Sequence, residues 1–258
     1  MESGRSKKCI RAVVITLGFV LFPYLYGQAE EQSSKLPEDG WWIRYCYTDK
    51  QEANGQVHEF TQKITYSLVG TVMEDGEKCR WVELKIHTTL RGEEDVVFRK
   101  FLVAEKELIE NEQPLDKLKR AWGKSSKRGL RELKLGQDVT SDSRYLRIFP
   151  GEWQKSERVD QERIVDYQKG RLTMPQARKR NVTMPINVIN AGGAQKTVNW
   201  TSVIDTTVWF DQVTSPVIAA ERIQTKEYEK EKLILSREEN FVIEDIGSDA
   251  KSSLPEIN

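Results

Sequence analysis

Histidine, cysteine and long apolar runs are all scarce in this chain. It has two histidines, three cysteines and four methionines in 258 residues. A catalytic zinc centre needs several imidazole or thiolate ligands at paired spacing. His58 and His87 show no such spacing with a cysteine, so no metal site and no cofactor is expected. No nucleophile elbow, phosphate loop, zinc-protease helix or dinucleotide fingerprint is present. Gly192-Gly193 is isolated and does not follow a strand-to-helix turn. No catalytic residue can be named, and whether the protein is an enzyme stays open.

Apolar runs are confined to the N-terminus. Arg5, Lys7, Lys8 and Arg11 precede an apolar stretch from Ala12 to Leu25, and Gly27-Gln28-Ala29 follows it. That layout is a secretory signal peptide with cleavage expected after Ala29. The stretch is about 14 residues, short of the roughly 20 that a spanning helix needs. A retained anchor would still keep the basic end inside and place the rest beyond the membrane. Cys9 precedes the apolar stretch, so it is not the acylated cysteine of a lipoprotein signal. The expected address is the periplasm or the exterior, with no integral membrane span after cleavage.

Residues 30–258 hold 36 Lys and Arg against 39 Asp and Glu. A slightly acidic balance gives no reason to expect nucleic acid as a partner. Cys46 and Cys79 remain in a compartment that permits a disulfide. Both fall on the more polar faces of predicted strands, and a further strand lies between them in sequence. A simple meander would keep them apart, so a bridge and two unreactive thiols both stay open.

What the chain has in abundance is alternation. Residues 30–40 read as a polar leader, and the domain is expected over 41–247, with a tail at 248–258. Phe60, Ile64, Tyr66, Leu68 and Val72 share one face of a predicted strand, opposite Thr61, Lys63, Thr65, Ser67 and Thr71. Asp75-Gly76 predicts a hairpin turn, after which Val82, Leu84, Ile86 and Leu90 return on the inner face. Residues 96–103 read as the next strand. Pro114, Leu115, Leu118 and Trp122 recur at spacings of three and four before Gly123, which predicts a short amphipathic helix. Residues 144–149 and 163–168 read as short strands, Arg178-Lys179-Arg180 as an exposed turn, and 190–193 as another turn. Strands resume from Lys196 to Ile246. This is an α+β pattern: antiparallel sheet at both ends, with one or two short helices packed on it.

Few residues stand out chemically. Glu83, between Val82 and Leu84, is read as an exposed cross-strand ion-pair partner beside Lys85 rather than an acid catalyst. Lys117 to Lys134 holds eight basic residues and one acidic one, next to the acidic run Glu105 to Asp116. That excess reads either as a patch for anionic lipid or as a solvated loop offset by its neighbour, and the second reading is preferred. The sequons at Asn181 and Asn199 are read as chance.

The segment Thr207-Val208-Trp209-Phe210-Asp211-Gln212-Val213-Thr214-Ser215-Pro216-Val217-Ile218 resembles the strand, Val-x-x-Pro turn, strand step of bacterial outer-membrane lipoprotein carriers. Asp39-Gly40-Trp41-Trp42 and Gly247-Ser248-Asp249-Ala250-Lys251-Ser252 are similar to secreted, uncharacterised proteins of planctomycete-type bacteria. The carrier resemblance implies a strongly curved, half-barrel-like sheet whose concave face holds acyl chains. It carries over no binding residue. From the alternation, Phe60, Ile64, Tyr66, Val82, Leu84 and Ile86 are the candidate ligand-lining side chains. The same face is what any sheet buries against a helix. The expected function is an exported binding or carrier protein for an apolar or lipid-like ligand. An envelope protein-protein interaction or scaffolding module is the alternative, and a hydrolase ranks third.

Overall fold

The computed structural model describes residues 35–90, 93–111, 114–126, 128–139, 146–149, 153, 156–189 and 197–254. The leader, its cleavage point and the turn expected at 190–193 lie outside the described residues.

Period-two alternation is realised as long antiparallel strands: β1 (Trp42–Ala53), β2 (Gln56–Glu74), β3 (Glu77–Leu90) and β4 (Glu93–Ala104). Helix α1 (Glu105–Glu110) and a 3-10 turn (Pro114–Lys117) lead to β5 (Leu118–Ser125) and β6 (Arg131–Glu132). The second half holds β7 (Glu157–Val159), β8 (Arg163–Tyr167), β9 (Gly170–Met174) and β10 (Ala177–Ile189). β11 (Thr197–Phe210), β12 (Ile218–Glu229) and β13 (Lys232–Gly247) complete it. Eleven strands form one sheet in the order β6-β5-β4-β3-β2-β1-β13-β12-β11-β10-β7, and β8-β9 form a separate hairpin. β6 and β7 are the two edges, so the sheet is not closed into a barrel. Two-residue turns with positive φ, Asn54-Gly55 and Asp75-Gly76, set the first two hairpins.

Cross-strand partners share a face, so the registers separate a core face from its opposite. Ile43, Tyr45 and Tyr47 lie level with Tyr66, Ile64 and Gln62 of β2 on the core face. Across β2 and β3 the core rows are Ile64–Ile86, Tyr66–Leu84 and Leu68–Val82. Segment 146–149 with Trp153 covers this face near β12. Ile218 donates its N–H to Ile148 O at 3.1 Å, and the Arg147 guanidinium reaches Glu221 at 2.6 Å. Leu146, Ile148, Phe149 and Trp153 are each 1% exposed there. On the opposite face the β8-β9 hairpin packs on Trp209, whose indole N–H donates to Gln161 O at 2.9 Å and whose ring carries Arg163.

Several expectations from sequence need correction. Leu118 to Trp122 is strand, not helix. A bulge at Lys119 lets Leu118 and Ala121, three residues apart, face Val103 and Phe101, two apart, and this mimics helical spacing. Trp122 points to the other face, against Trp81 at 5.4 Å. A bulge between Leu68 and Gly70 likewise takes Val72 off the core face, where it is 36% exposed. Arg178-Lys179-Arg180 lies inside β10 rather than in a turn, paired with β11. Residues 146–149 form a turn, not a strand. Leu36 is buried in the core, and Leu254 at the other end is buried too. The two terminal motifs meet: Ala250 donates to Gly40 O at 2.8 Å, and Trp42 lies on Gly247 and donates to Asp249 at 2.7 Å. A Cβ at Gly247 would come within 2.5 Å of that indole.

Candidate functional site

The six residues expected to line a ligand surface divide into two groups. Tyr66, Val82 and Leu84 are at most 1% exposed and Ile64 is 7% exposed, all within the packed core. Tyr66 meets Tyr45 edge-on at 5.8 Å, so space between these rows is filled by rings. Phe60 and Ile86 are half-buried at the rim of that core. Phe60 stands edge-on to Tyr47 at 5.7 Å.

Beyond the rim the core face changes character. Ile86 lies level with Val97, and Val97 with Ser125, so a half-buried apolar row reaches toward the β6 edge. The next row places Leu84, Arg99, Gly123 and Arg131 side by side. From these rows Val97, Ser125, Arg99, Gly123 and Arg131, together with Asp95, Lys124, Arg128 and Leu133, line a pocket of about 230 Å3. Gly123 provides the floor: a Cβ there would meet the Arg99 Nη1 and a Leu133 methyl at 3.0 Å each. Arg99 Nη1 therefore lies close over the Gly123 backbone, next to buried Leu133. Arg99 Nη1 donates to its neighbour Phe98 O at 3.0 Å.

Among the described residues, charge in this pocket is not fully paired. Arg131 donates two hydrogen bonds to Asp138, at 3.1 Å each. Those bonds hold the Asp138 carboxyl below its ordinary range and push Arg131 up. Asp95 accepts from Ser126 Oγ. Among the described residues no carboxylate lies within ion-pair distance of Arg99 or Arg128. The chemistry available is binding of an anionic or amphiphilic group, with arginine donors beside an apolar row.

A second, more open groove of about 560 Å3 lies along the β2 and β3 ends. Its polar lining includes Thr61, Lys63, His87 and Thr89. Lys63 is tied to Glu244 at 2.6 Å, and His87 Nε2 stands 3.4 Å from Glu94. Among the described residues no group of three or more His, Cys, Asp or Glu is placed to hold a metal.

Three other polar features belong to the frame. Asp49 and Glu239 face each other across β1 and β13, 4% and 3% exposed. Arg237 bridges them, with Nε to Asp49 Oδ1 at 2.9 Å and Nη2 to Glu239 at 3.2 Å, and Tyr47 OH donates to Glu239 at 2.5 Å. Asp49 is the first cause pushing the Arg237 guanidinium up. Glu83 is buried, not exposed beside Lys85. Its carboxylate accepts from Ser252 Oγ at 2.9 Å and from the N–H groups of Ser253 and Leu254 at 2.9 and 3.3 Å. Cys46 and Cys79 are free thiols on strands separated by β2, each pushed up by burial. The disulfide alternative therefore falls to the meander geometry.

Arg99 escaped the sequence reading, which weighed the basic run 117–134 without linking it to the apolar face. The available signal was parity: Arg99 falls in step with Val97 and Phe101, so it is the charged member of a core-facing series.

No family model matches the chain, and no curated protein matches it in sequence. Among solved structures it is similar to a DUF1329 family protein from Desulfovibrio piger, at 9% identity and a TM-score of 0.24. That match covers 83% of this chain and 88% of the other. A likeness this distant carries no argument about fold or function.

Proposed function

We propose that this chain is a non-catalytic binding protein for an apolar or lipid-like ligand, delivered to the cell envelope by its N-terminal leader. The ligand seats on the core face at its rim, along Ile86 and Val97, and not between the filled rows of Tyr66, Val82 and Leu84. In this reading residues 41–247 act as one domain and the sheet is the curved, half-barrel-like support that the carrier resemblance implies. The observation that carries it is the half-buried apolar row Ile86–Val97, which continues the core face beyond the rows that the described residues cover fully. An apolar surface beside a polar pocket is the arrangement small-molecule sites use.

Titration of the purified protein with decanol tests this. Saturable binding is expected, weakened by Ile86→Asp and Val97→Asp, with apolar material recovered on organic extraction of the freshly purified protein. Absence of saturable decanol binding together with a ligand-free extract would sink the proposal.

A second reading is favoured by one feature of the sheet. β7 pairs with β10 only over Ala177–Lys179, so among the described residues the remainder of β10 has β11 as its one neighbour. Such an edge can accept a strand from an envelope partner. Pro185 removes one donor from it. Cross-linking from residue 182 should capture a defined partner; a monomer with no adduct counts against this reading.

A further inference from the structure

We infer that the pocket floored by Gly123 is an oxyanion site, and that the ligand is an amphiphile carrying a phosphate or carboxylate head. This inference rests on the proposed binding at the Ile86–Val97 row and names the chemistry of the other end of that ligand.

Four observations converge on it. Arg99 projects from the core face, between buried Leu84 on one strand and Gly123 on the other, with Val97 and Phe101 on either side of it along β4. Arg99 is half-buried there, so its guanidinium is partly desolvated, a cost that a charged or hydrogen-bonding partner offsets. Among the described residues the one acceptor recorded for Arg99 is the adjacent Phe98 carbonyl, which leaves most of its planar donor fork uncommitted. Gly123 leaves room for that fork, since a side chain there would press on Nη1 at 3.0 Å.

Arg128, exposed in the turn after β5, lines the same pocket; the hydrogen bonds recorded for it are backbone contacts with Ser125. The Asp138 carboxylate is already committed to Arg131, and Asp95, which accepts from Ser126 Oγ and keeps its charge, is not within ion-pair distance of Arg99. The Asp95 carboxylate at the pocket wall disfavours a second negative charge on that side. It directs an anion toward the Arg99–Arg128 side. The apolar row begins one residue pair away, at Val97 and Ile86, so an alkyl chain attached to the bound head runs directly onto it. Planar, bidentate recognition of carboxylate and phosphate is what arginine does better than lysine.

Calorimetric titration with decyl phosphate, decanol and inorganic phosphate separates the possibilities. Decyl phosphate is expected to bind about tenfold or more tightly than decanol, the range of a charge-assisted hydrogen bond. Arg99→Met should abolish that preference. Arg128→Gln, a change at an exposed position, should reduce it severalfold. Both variants are checked for an unchanged melting transition. Equal affinity for decyl phosphate and decanol, or a preference that survives both substitutions, overturns the oxyanion site. Inorganic phosphate bound as tightly as decyl phosphate, and lost in Arg99→Met, supports the oxyanion site while overturning the amphiphile reading. Decanol binding with no phosphate preference does the reverse.

Discussion

Replacing Arg237 with methionine isolates what a single bridge does for the centre of this sheet. Asp49 and Glu239 stand directly opposite each other on β1 and β13, almost wholly removed from water. Like charges at opposed positions repel, and here Arg237 contacts both while the single Tyr47 hydroxyl proton goes to Glu239 at 2.5 Å with Asp49 3.3 Å away. Methionine keeps the length of the side chain and deletes its donors, which removes a cation that contacts both buried carboxylates. Removing one partner of a buried ion pair costs about 3–5 kcal/mol. The Arg237 side chain is 30% exposed, so water recovers part of that loss. A cost of about 2–3 kcal/mol follows. For a domain of this size each kcal/mol moves the melting midpoint by about 2–4 °C, so Tm should fall by roughly 5–10 °C. Thermal unfolding followed by circular dichroism at neutral pH measures this directly. Adding Asp49→Asn and Glu239→Gln to Arg237→Met should recover part of the loss, because neutral amides remove the repulsion. A single variant melting within about 1 °C of the parent would refute the claim that the bridge holds β1 to β13.

Three further outcomes are expected. Glu83→Ala removes the acceptor of three tail contacts, so the amides of Ser253 and Leu254 should lose hydrogen-exchange protection while the β2–β3 ladder keeps its own; unchanged tail protection would contradict the clamp. Asp138 is held low by Arg131, so its ionised contacts are present above the ordinary carboxylate range and are lost only as pH falls through its depressed midpoint. A side-chain carboxyl NMR titration should give a midpoint below about 3.9, returning toward it in Arg131→Gln, and a normal midpoint in the parent would be inconsistent with the paired geometry. Cys46 and Cys79, both pushed up by burial, should react slowly with a thiol reagent at neutral pH and readily after unfolding; a protein that shows no thiol at these positions even when unfolded would contradict the free-cysteine geometry.

Local pattern reaches some of this molecule and not the rest. The Asp75-Gly76 hairpin and the core-face series Ile64, Tyr66, Val82, Leu84 and Ile86 follow from turn chemistry and period two, because both are set by residues adjacent in sequence. The helix expected at Leu115 to Trp122 fails because one bulged residue, Lys119, turns a two-residue period into a three-residue one. Glu83 illustrates a longer-range limit. Its face was read correctly, but its burial comes from Ser252, Ser253 and Leu254, about 170 positions away, which no window around Glu83 contains. Whether a core face is open or filled is likewise set by what lands on it. Tyr45, from the preceding strand, and residues 146–149 with Trp153 fill the middle of this one, while nothing among the described residues covers Ile86 and Val97 to the same extent. Arg99 is legible only as a charge out of place in an apolar series, and its meaning depends on Gly123, a strand away.

Amide chemical-shift mapping with decyl phosphate tests the binding account most directly. The account predicts saturable shifts concentrated at Ile86, Val97, Arg99, Gly123 and Ser125, with the filled rows at Tyr66 and Val82 little changed. Shifts confined to the groove at Lys63 and His87, or no saturable shifts at all, would contradict it.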